Sequence, residues 1–250
     1  MIKIKSTAEL DRMRVSCRMA ATVRDAVAKA IKPGVTTLEL DEYAQELIAK
    51  MGAKSAFYGY RGFPGHICVS VNDEVVHGIP SQRIVRLGDI LSVDFGVTYD
   101  GFVGDTATTV MVGVTDPDVI RLITVTEKAL TAAIEQAVVG NRLSDISHAV
   151  ETVATAAGMG IVRDFVGHGI GRKMHEDPQI PNFGRPGRGP KLRAGMTFAL
   201  EPMLNLGTEE VEVMSDGWTV LTKDRRPSAH FEHTVAIAEG QAEILTVAEK

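Results

Sequence analysis

Cysteine is almost absent from this chain. Cys17 and Cys68 are the only two in 250 residues, 51 positions apart, and no C-x-x-C pair occurs. That argues against thiolate zinc sites and thioredoxin-type redox chemistry, and two free thiols suit a reducing compartment. No run of about 18 apolar residues occurs, so no transmembrane span is expected. The first 25 residues carry charge throughout and hold no apolar h-region, so no secretory signal is expected. An excess of positive charge is also missing: 27 Lys and Arg against 32 Asp and Glu give a formal net charge of −5. Binding to phosphate backbones needs the opposite balance, which argues against a nucleic-acid substrate while leaving room for a local basic patch. The expectation is a cytoplasmic protein without membrane contact.

What is present fits a soluble globular chain, with 44% hydrophobic and 24% charged residues. Ser6-Thr7-Ala8-Glu9 matches a capping box and opens a helix predicted to run to about Ile31, before Pro33-Gly34. A second helix is predicted over roughly Thr37 to Met51, with Leu40, Ala44, Leu47 and Ile48 as its apolar face. The pattern then recurs 106 positions on: Asp116-Pro117-Asp118 opens a helix predicted to stop at Gly140, and another runs from about Leu143 to Ala157. Gly34 and Gly52 map onto Gly140 and Gly158, and Leu40, Ala44 and Leu47 onto Ile146, Val150 and Val153. Strand-like segments follow each pair. They are His66–Asn72, Ile90–Tyr99 and Phe102–Val112 in the first half, and Ile161–Val166, Met196–Pro202, Gly217–Thr222 and Phe231–Ala238 in the second. No low-complexity linker intervenes. One domain over 1–250 is expected, built from twofold-related helix-helix-sheet halves of about 1–113 and 114–250. The Pro- and Gly-rich stretch Pro178–Gly195 carries Arg185, Arg188, Lys191 and Arg193. It reads as a solvated surface loop, with a docking patch for an acidic partner as the functional alternative.

Four acidic residues lie in apolar, strand-like surroundings: Asp94, Asp105, Glu201 and Glu232. A carboxylate there loses hydration and needs a partner, and a divalent cation is the strongest available. Asp100-Gly101 between apolar runs predicts a two-residue hairpin turn. In that register Tyr99 faces Phe102, Gly96 faces Asp105, and Asp94 faces Ala107. Asp94 and Asp105 then share a face as diagonal neighbours, about 7 Å apart along the backbone. A slip of one residue would send them to opposite faces. Gly96 opposite Asp105 is expected to leave room for ions. His168 sits in Gly167-His168-Gly169-Ile170-Gly171. A lone histidine is ordinarily a satisfied core or surface residue, but flanking glycines let backbone and metal approach closely. Glu201 and Glu232, taken singly, read as ion-pair partners of Arg or Lys. His77, between Val75-Val76 and Gly78-Ile79-Pro80, is either a packing residue or a donor to a substrate carbonyl.

The ordered set Val76-His77-Gly78-Ile79-Pro80, Asp94-Phe95-Gly96, Gly104-Asp105-Thr106, Gly167-His168-Gly169-Ile170-Gly171, Glu201-Pro202 and Phe231-Glu232-His233-Thr234 resembles type I methionine aminopeptidases in their short bacterial form. The resemblance implies an α+β pita-bread fold, two pseudo-twofold halves around a central antiparallel sheet. It implies two divalent metal ions (Co, Mn, Fe or Zn) held by Asp94, Asp105, His168, Glu201 and Glu232, with Asp105 and Glu232 bridging. By the same resemblance Glu201 shuttles a proton, and His77 and His175 bind the scissile carbonyl and the adjoining amide. Tyr60, Phe63, Cys68, Met174 and Trp218, with Phe57, line the methionine pocket. Two positions depart from the family pattern: Met174, where Phe is common, and Phe57, where Cys is. The implied activity is removal of the N-terminal methionine from nascent peptides when the second residue is small, by a monomer in possible contact with the ribosome. Related pita-bread prolidases and aminopeptidases, and a non-catalytic binding module, are the alternatives.

Overall fold

The structure, a computed structural model, describes residues 1–248. Helix α1 (Thr7–Ala30) starts at a reciprocal cap, with Ser6 accepting from the Glu9 backbone and the Glu9 carboxylate accepting from Ser6 N–H. Helix α2 (Thr37–Lys50) repeats the device with Thr36 and Glu39. Each box satisfies two N–H groups that a helix start leaves without partners. Helices α3 (Pro117–Gln136) and α4 (Leu143–Ala156) are the other α-helices among the described residues, and a 3-10 turn spans Tyr60–Gly62.

Among the described residues fifteen strands alternate with the helices along the chain. They are β1 (Lys54–Ser55), β2 (Cys68–Val71), β3 (Glu74–Val76), β4 (Ile90–Tyr99), β5 (Phe102–Met111), β6 (Gly160–Ile161), β7 (Gly167–Gly169), β8 (Glu176–Ile180), β9 (Thr197–Leu200), β10 (Met203–Asn205), β11 (Val211–Val213), β12 (Val220–Thr222), β13 (Ser228–His230), β14 (Glu232–Ala236) and β15 (Glu243–Ile244). The central antiparallel sheet has the order β1-β4-β5-β14-β9-β7-β8, with β2 beside β4 and β15 beside β14. Two small sheets, β13-β10-β6 and β11-β12-β3, stand apart from it.

The expected repeat is present in the backbone. α2 and α4 each hold 14 residues, offset by the same 106 positions. Gly34 and Gly140 share φ +97°, and Gly52 and Gly158 share φ +68°, left-handed positions that follow each helix end. The Gly34 N–H donates to Val85 O, and that of Gly140 to Leu192 O. Each half has its own core. Ala20, Val23, Leu40 and Ala44 pack on Val93, Phe95 and Val97 in the first. Leu122, Ala129, Ile146 and Val150 pack on Phe198, Leu200 and Val235 in the second.

Several predicted boundaries shift. α3 ends at Gln136, short of Gly140, because Val138 bridges Ala238 and Val139 N–H donates to Ala238 O. The predicted strand Ile161–Val166 shrinks to Gly160–Ile161, and the chain then turns so that Asp164, Phe165 and Val166 line the central cleft. The His66 and Ile67 N–H groups go to the Asp41 carboxylate, which delays β2 to Cys68. The stretch Pro178–Gly195 is not loop throughout, since it begins inside β8. Its remainder is pinned to the start of α4, and Arg185, Arg188, Lys191 and Arg193 are exposed there.

Candidate active site

The central sheet delivers the site in two rows. Asp94 pairs with Ala107, and Ala107 with Glu232. Continuing the His233–Leu200 pairing by one residue puts Glu201, just past β9, beside Glu232. Two residues along, Gly96 pairs with Asp105, Thr234 with Ala199, and Ala199 with His168. Thr234 closes that second row by donating its hydroxyl to Asp105 O at 2.8 Å. Directly opposed residues share a face, and so do residues two apart on one strand. Asp94, Asp105, Glu232, Glu201 and His168 therefore stand on one face, drawn in order from β4, β5, β14, β9 and β7. The opposite face of β5 meets α1. A Cβ at Gly104 would lie 2.5 Å from Cys17 Cα, so glycine alone allows that approach.

The electrostatics identify what this face is built to hold. Asp94 Oδ1, Asp105 Oδ1 and Glu232 Oε1 are buried with no hydrogen-bond partner. Burial raises Asp94 to about 7, and burial with mutual repulsion raises Asp105, Glu201 and Glu232 well above the usual carboxylate range. Atoms of Asp105, His168 and Glu232 lie within 4.8 Å of one another. His168 Nε2 is 3.7 Å from Asp105 Oδ2 and 3.4 Å from Glu201 Oε1. Burial pushes His168 down to about 3, so the ring is neutral. Its Nδ1 is 3.0 Å from Gly169 O, a bond that requires the proton on Nδ1 and leaves Nε2 with its lone pair toward the acids. Buried carboxylate oxygens without donors, beside one neutral imidazole, fit divalent cations.

A cavity of about 340 Å³ opens over this face. Tyr60, Phe63, Cys68, His77, Met174, His175 and Trp218 line it together with Phe57 and the five acidic and histidine residues above. All the candidate metal, catalytic and pocket side chains are thus brought to one cleft, while Arg185, Arg188, Lys191 and Arg193 lie outside it. Cys68 pairs with Asp94 and extends the first row. Phe63 meets Trp218 edge-on at 5.1 Å, forming an apolar wall. Tyr60 Oη is 2.9 Å from His175 Nδ1. His77, with φ +60°, holds its ring edge-on to Phe165 at 5.5 Å. Burial lowers His77 to about 4.

Two glycine expectations are corrected. The space above Gly96 is not left for ions: a Cβ there would lie 2.5 Å from Phe57 Cε1 and 2.6 Å from Met174 Cε. The glycines around His168 serve strand packing and not metal approach, since a Cβ at Gly167 would meet Ala199 O at 2.6 Å and one at Gly169 would meet Asp177 O at 2.0 Å. Sequence reasoning also missed Arg61, Asp164, Phe165 and Gln179 as cleft residues. The aromatic Phe165 just before Gly167-His168 was the available signal, hidden by reading 161–166 as strand.

Fold and cleft define a metal-dependent hydrolase of the pita-bread class. The chain belongs to metallopeptidase family M24, whose sequence profile matches residues 11–239. It is 48% identical over 250 residues to a methionine aminopeptidase of Clostridium acetobutylicum, covering 100% of both chains. It is 48% identical over 246 residues to methionine aminopeptidase 1 of Bacillus subtilis, covering 98% of this chain and 99% of that one. The crystal structure of a Thermotoga maritima methionine aminopeptidase superposes with a TM-score of 0.97 at 46% identity, over 100% of both chains. A Pyrococcus furiosus prolidase shares the fold, with a TM-score of 0.80 at 21% identity, and this chain covers 66% of it.

Proposed function

We propose that this chain is a methionine aminopeptidase. It removes the initiator methionine from nascent proteins whose second residue is small, acting in the cytoplasm as a monomer of one catalytic domain. The observation that carries this reading is one cleft joining the five-residue acid and imidazole floor to an aromatic and thiol wall suited to a thioether. Full-length similarity to methionine aminopeptidases supports it.

In this reading Asp94, Asp105, His168, Glu201 and Glu232 hold two divalent cations, of Co, Mn, Fe or Zn. Such ions supply Lewis acidity at the scissile carbonyl and an activated water at neutral pH. Glu201 moves a proton, standing just past β9 beside Glu232 in the row of acids. When Tyr60 Oη–H donates to His175 Nδ1, the His175 proton sits on Nε2 and is available to the substrate. His77, neutral and set between Phe165 and Trp218, donates to the oxygen that gains charge. Phe63, Trp218, Cys68 and Met174 exclude water around the methionine side chain.

Metal-loaded protein offered Met-Gly-Met, Met-Leu-Met, Ala-Pro-Ala and Gly-Pro separates the alternatives. Release of Met from Met-Gly-Met alone is the expected result. Preferential cleavage before proline would assign a prolidase or aminopeptidase P activity, and no cleavage of any peptide would assign a binding module.

A further inference from the structure

Gly171 ends the glycine run around His168 and Lys5 precedes the first helix, and the structure joins them. Lys5 is buried, with its side chain only 5% exposed, and so is its partner Glu176. Lys5 Nζ donates to Glu176 Oε2 at 2.9 Å and to Ile170 O at 2.7 Å. The other oxygen, Glu176 Oε1, accepts from Arg172 N at 3.0 Å and Lys173 N at 3.3 Å. Lys5 N–H donates to Gly195 O at 2.8 Å, which fixes the lysine backbone to the segment leading into β9. Both ends of the 170–176 turn are therefore tied to one ammonium group. Its first residue lies two positions after His168, and its last follows Met174 and His175. A Cβ at Gly171 would lie 2.6 Å from Lys5 Cε and 2.8 Å from Nζ, so the last glycine of the run is the space that the lysine occupies.

We infer that Lys5 is a positioning residue: through Glu176 it sets the 170–176 turn so that His175 and Met174 face the substrate. The inference rests on the proposed aminopeptidase reading, because that reading gives His175 its role. Long polar side chains cost conformational entropy when buried. An ion pair is buried here next to the substrate-facing residues, where it reaches both ends of the turn. Neither Lys5 nor Glu176 is among the five residues that would hold metal, but Glu176 pairs with Gly169 beside His168, so bound metal is measured together with activity.

The test is a double-mutant cycle in the full chain, which isolates the coupling between two residues. Lys5→Met is expected to lower kcat/KM on Met-Gly-Met by roughly tenfold while bound metal stays at the wild-type level. In the His175→Ala background the same change is expected to cost clearly less than in the wild type, because the route through His175 is removed and only that through Met174 remains. An equal loss in both backgrounds, or no loss in either, would overturn the inference. Gly171→Ala keeps both charges and crowds the lysine; it should reproduce the Lys5→Met effect, and it serves where Lys5→Met does not fold. A second readout needs no activity: the His175 ring proton resonance, assigned by its disappearance in His175→Ala, should move in Gly171→Ala and Lys5→Met. Inactive wild-type protein with a shifted His175 resonance would sink the aminopeptidase reading and keep the positioning role. Active wild-type protein with an unmoved resonance in both variants would do the reverse.

Discussion

Cys68 stands directly across from Asp94 in the β2–β4 pairing, which places a thiol and a buried carboxylate side by side at the floor of the cleft. Burial and then the Asp94 charge push the Cys68 thiol well above its usual range. Burial likewise pushes Cys17 up to about 12. The thiolate is the reactive form, so neither cysteine should be modified quickly although Cys68 lines the cleft. Intact-mass measurement after iodoacetamide at pH 8 is expected to show unmodified folded protein and two additions after denaturation. Rapid single labelling of the folded, metal-free protein at Cys68 would contradict the assigned environment.

Metal and pH are linked with a definite sign. Asp94, Asp105, Glu201 and Glu232 have raised values, so their contribution is present at low pH and is lost as pH rises through the folded values, near 7 for Asp94. His77, His168, His230 and His233 are lowered from 6.5 to between about 3 and about 4 by burial. Their contribution is present above 6.5 and is lost as pH falls toward those values. Below pH 6.5 the two sets oppose one another; above it the histidine contribution is complete, and the raised carboxylates and thiols both favour the lower pH. Chelator-treated protein should therefore show a Tm that falls from pH 6.5 to 8.5. Added Mn should raise Tm by more at pH 8 than at pH 6, with protons released on binding. Calorimetry in chelator that shows Tm rising across that window would refute the assignment.

Gly104 is expected to be intolerant of even one methyl group. Its Cβ would meet the α1 backbone at Cys17, and a backbone does not yield as a flexible side chain does. Overpacking of this kind costs about 1–3 kcal/mol. Gly104→Ala should lower the urea midpoint accordingly, and it should weaken metal binding because Asp105 is the next residue. An unchanged midpoint would show that α1 can move off the sheet.

His77 and His175 should be separable from the metal set. Neither lies in the two rows of the central sheet that carry Asp94, Asp105, Glu232, Glu201 and His168; His77 follows β3 and His175 precedes β8. Each Ala variant is expected to keep its metal, measured by mass spectrometry of the bound ions. Each should lose roughly 10²-fold in kcat, the scale for removing one positioned donor. A variant that loses metal in proportion to activity would turn that histidine into a ligand.

The site's floor was more legible in the sequence than its walls. Asp100-Gly101 demanded a left-handed turn, and φ +46° and +74° there set the register that places Asp94 and Asp105 on one face. The helix caps at Ser6 and Thr36 were readable for the same local reason. The three-residue strands β10, β11 and β13 were not, since so short a segment has no period and its partners decide its state. Glycines misled in a specific way. Gly96 and Gly167 signal that something approaches closely, but only the tertiary structure reveals an aromatic ring in one case and a neighbouring strand in the other.

Phe57 and Met174 share the one volume above Gly96, so their substitutions should be coupled. Phe57 Cε1 and Met174 Cε both lie within 2.6 Å of the point where a Gly96 Cβ would sit. Shortening one leaves a void that the other fills only in part from its own backbone position. Phe57→Cys alone should cost stability on the scale of a truncated aromatic, about 3 kcal/mol, reduced by however much Met174 can swing into the space. Met174→Phe alone should overpack the same point and cost about 1–3 kcal/mol. Combined, the two exchange volume, and the double variant should be more stable than the sum of the single losses predicts, by 0.5 kcal/mol or more on the usual scale for touching residues, roughly. The same cycle read in kcat/KM for Met against Leu peptides tests whether this pair shapes the pocket. Selectivity should drop in each single variant and return in the double. Strict additivity in both stability and selectivity would show that the two side chains act independently, and that the shared volume above Gly96 has no role in recognising methionine.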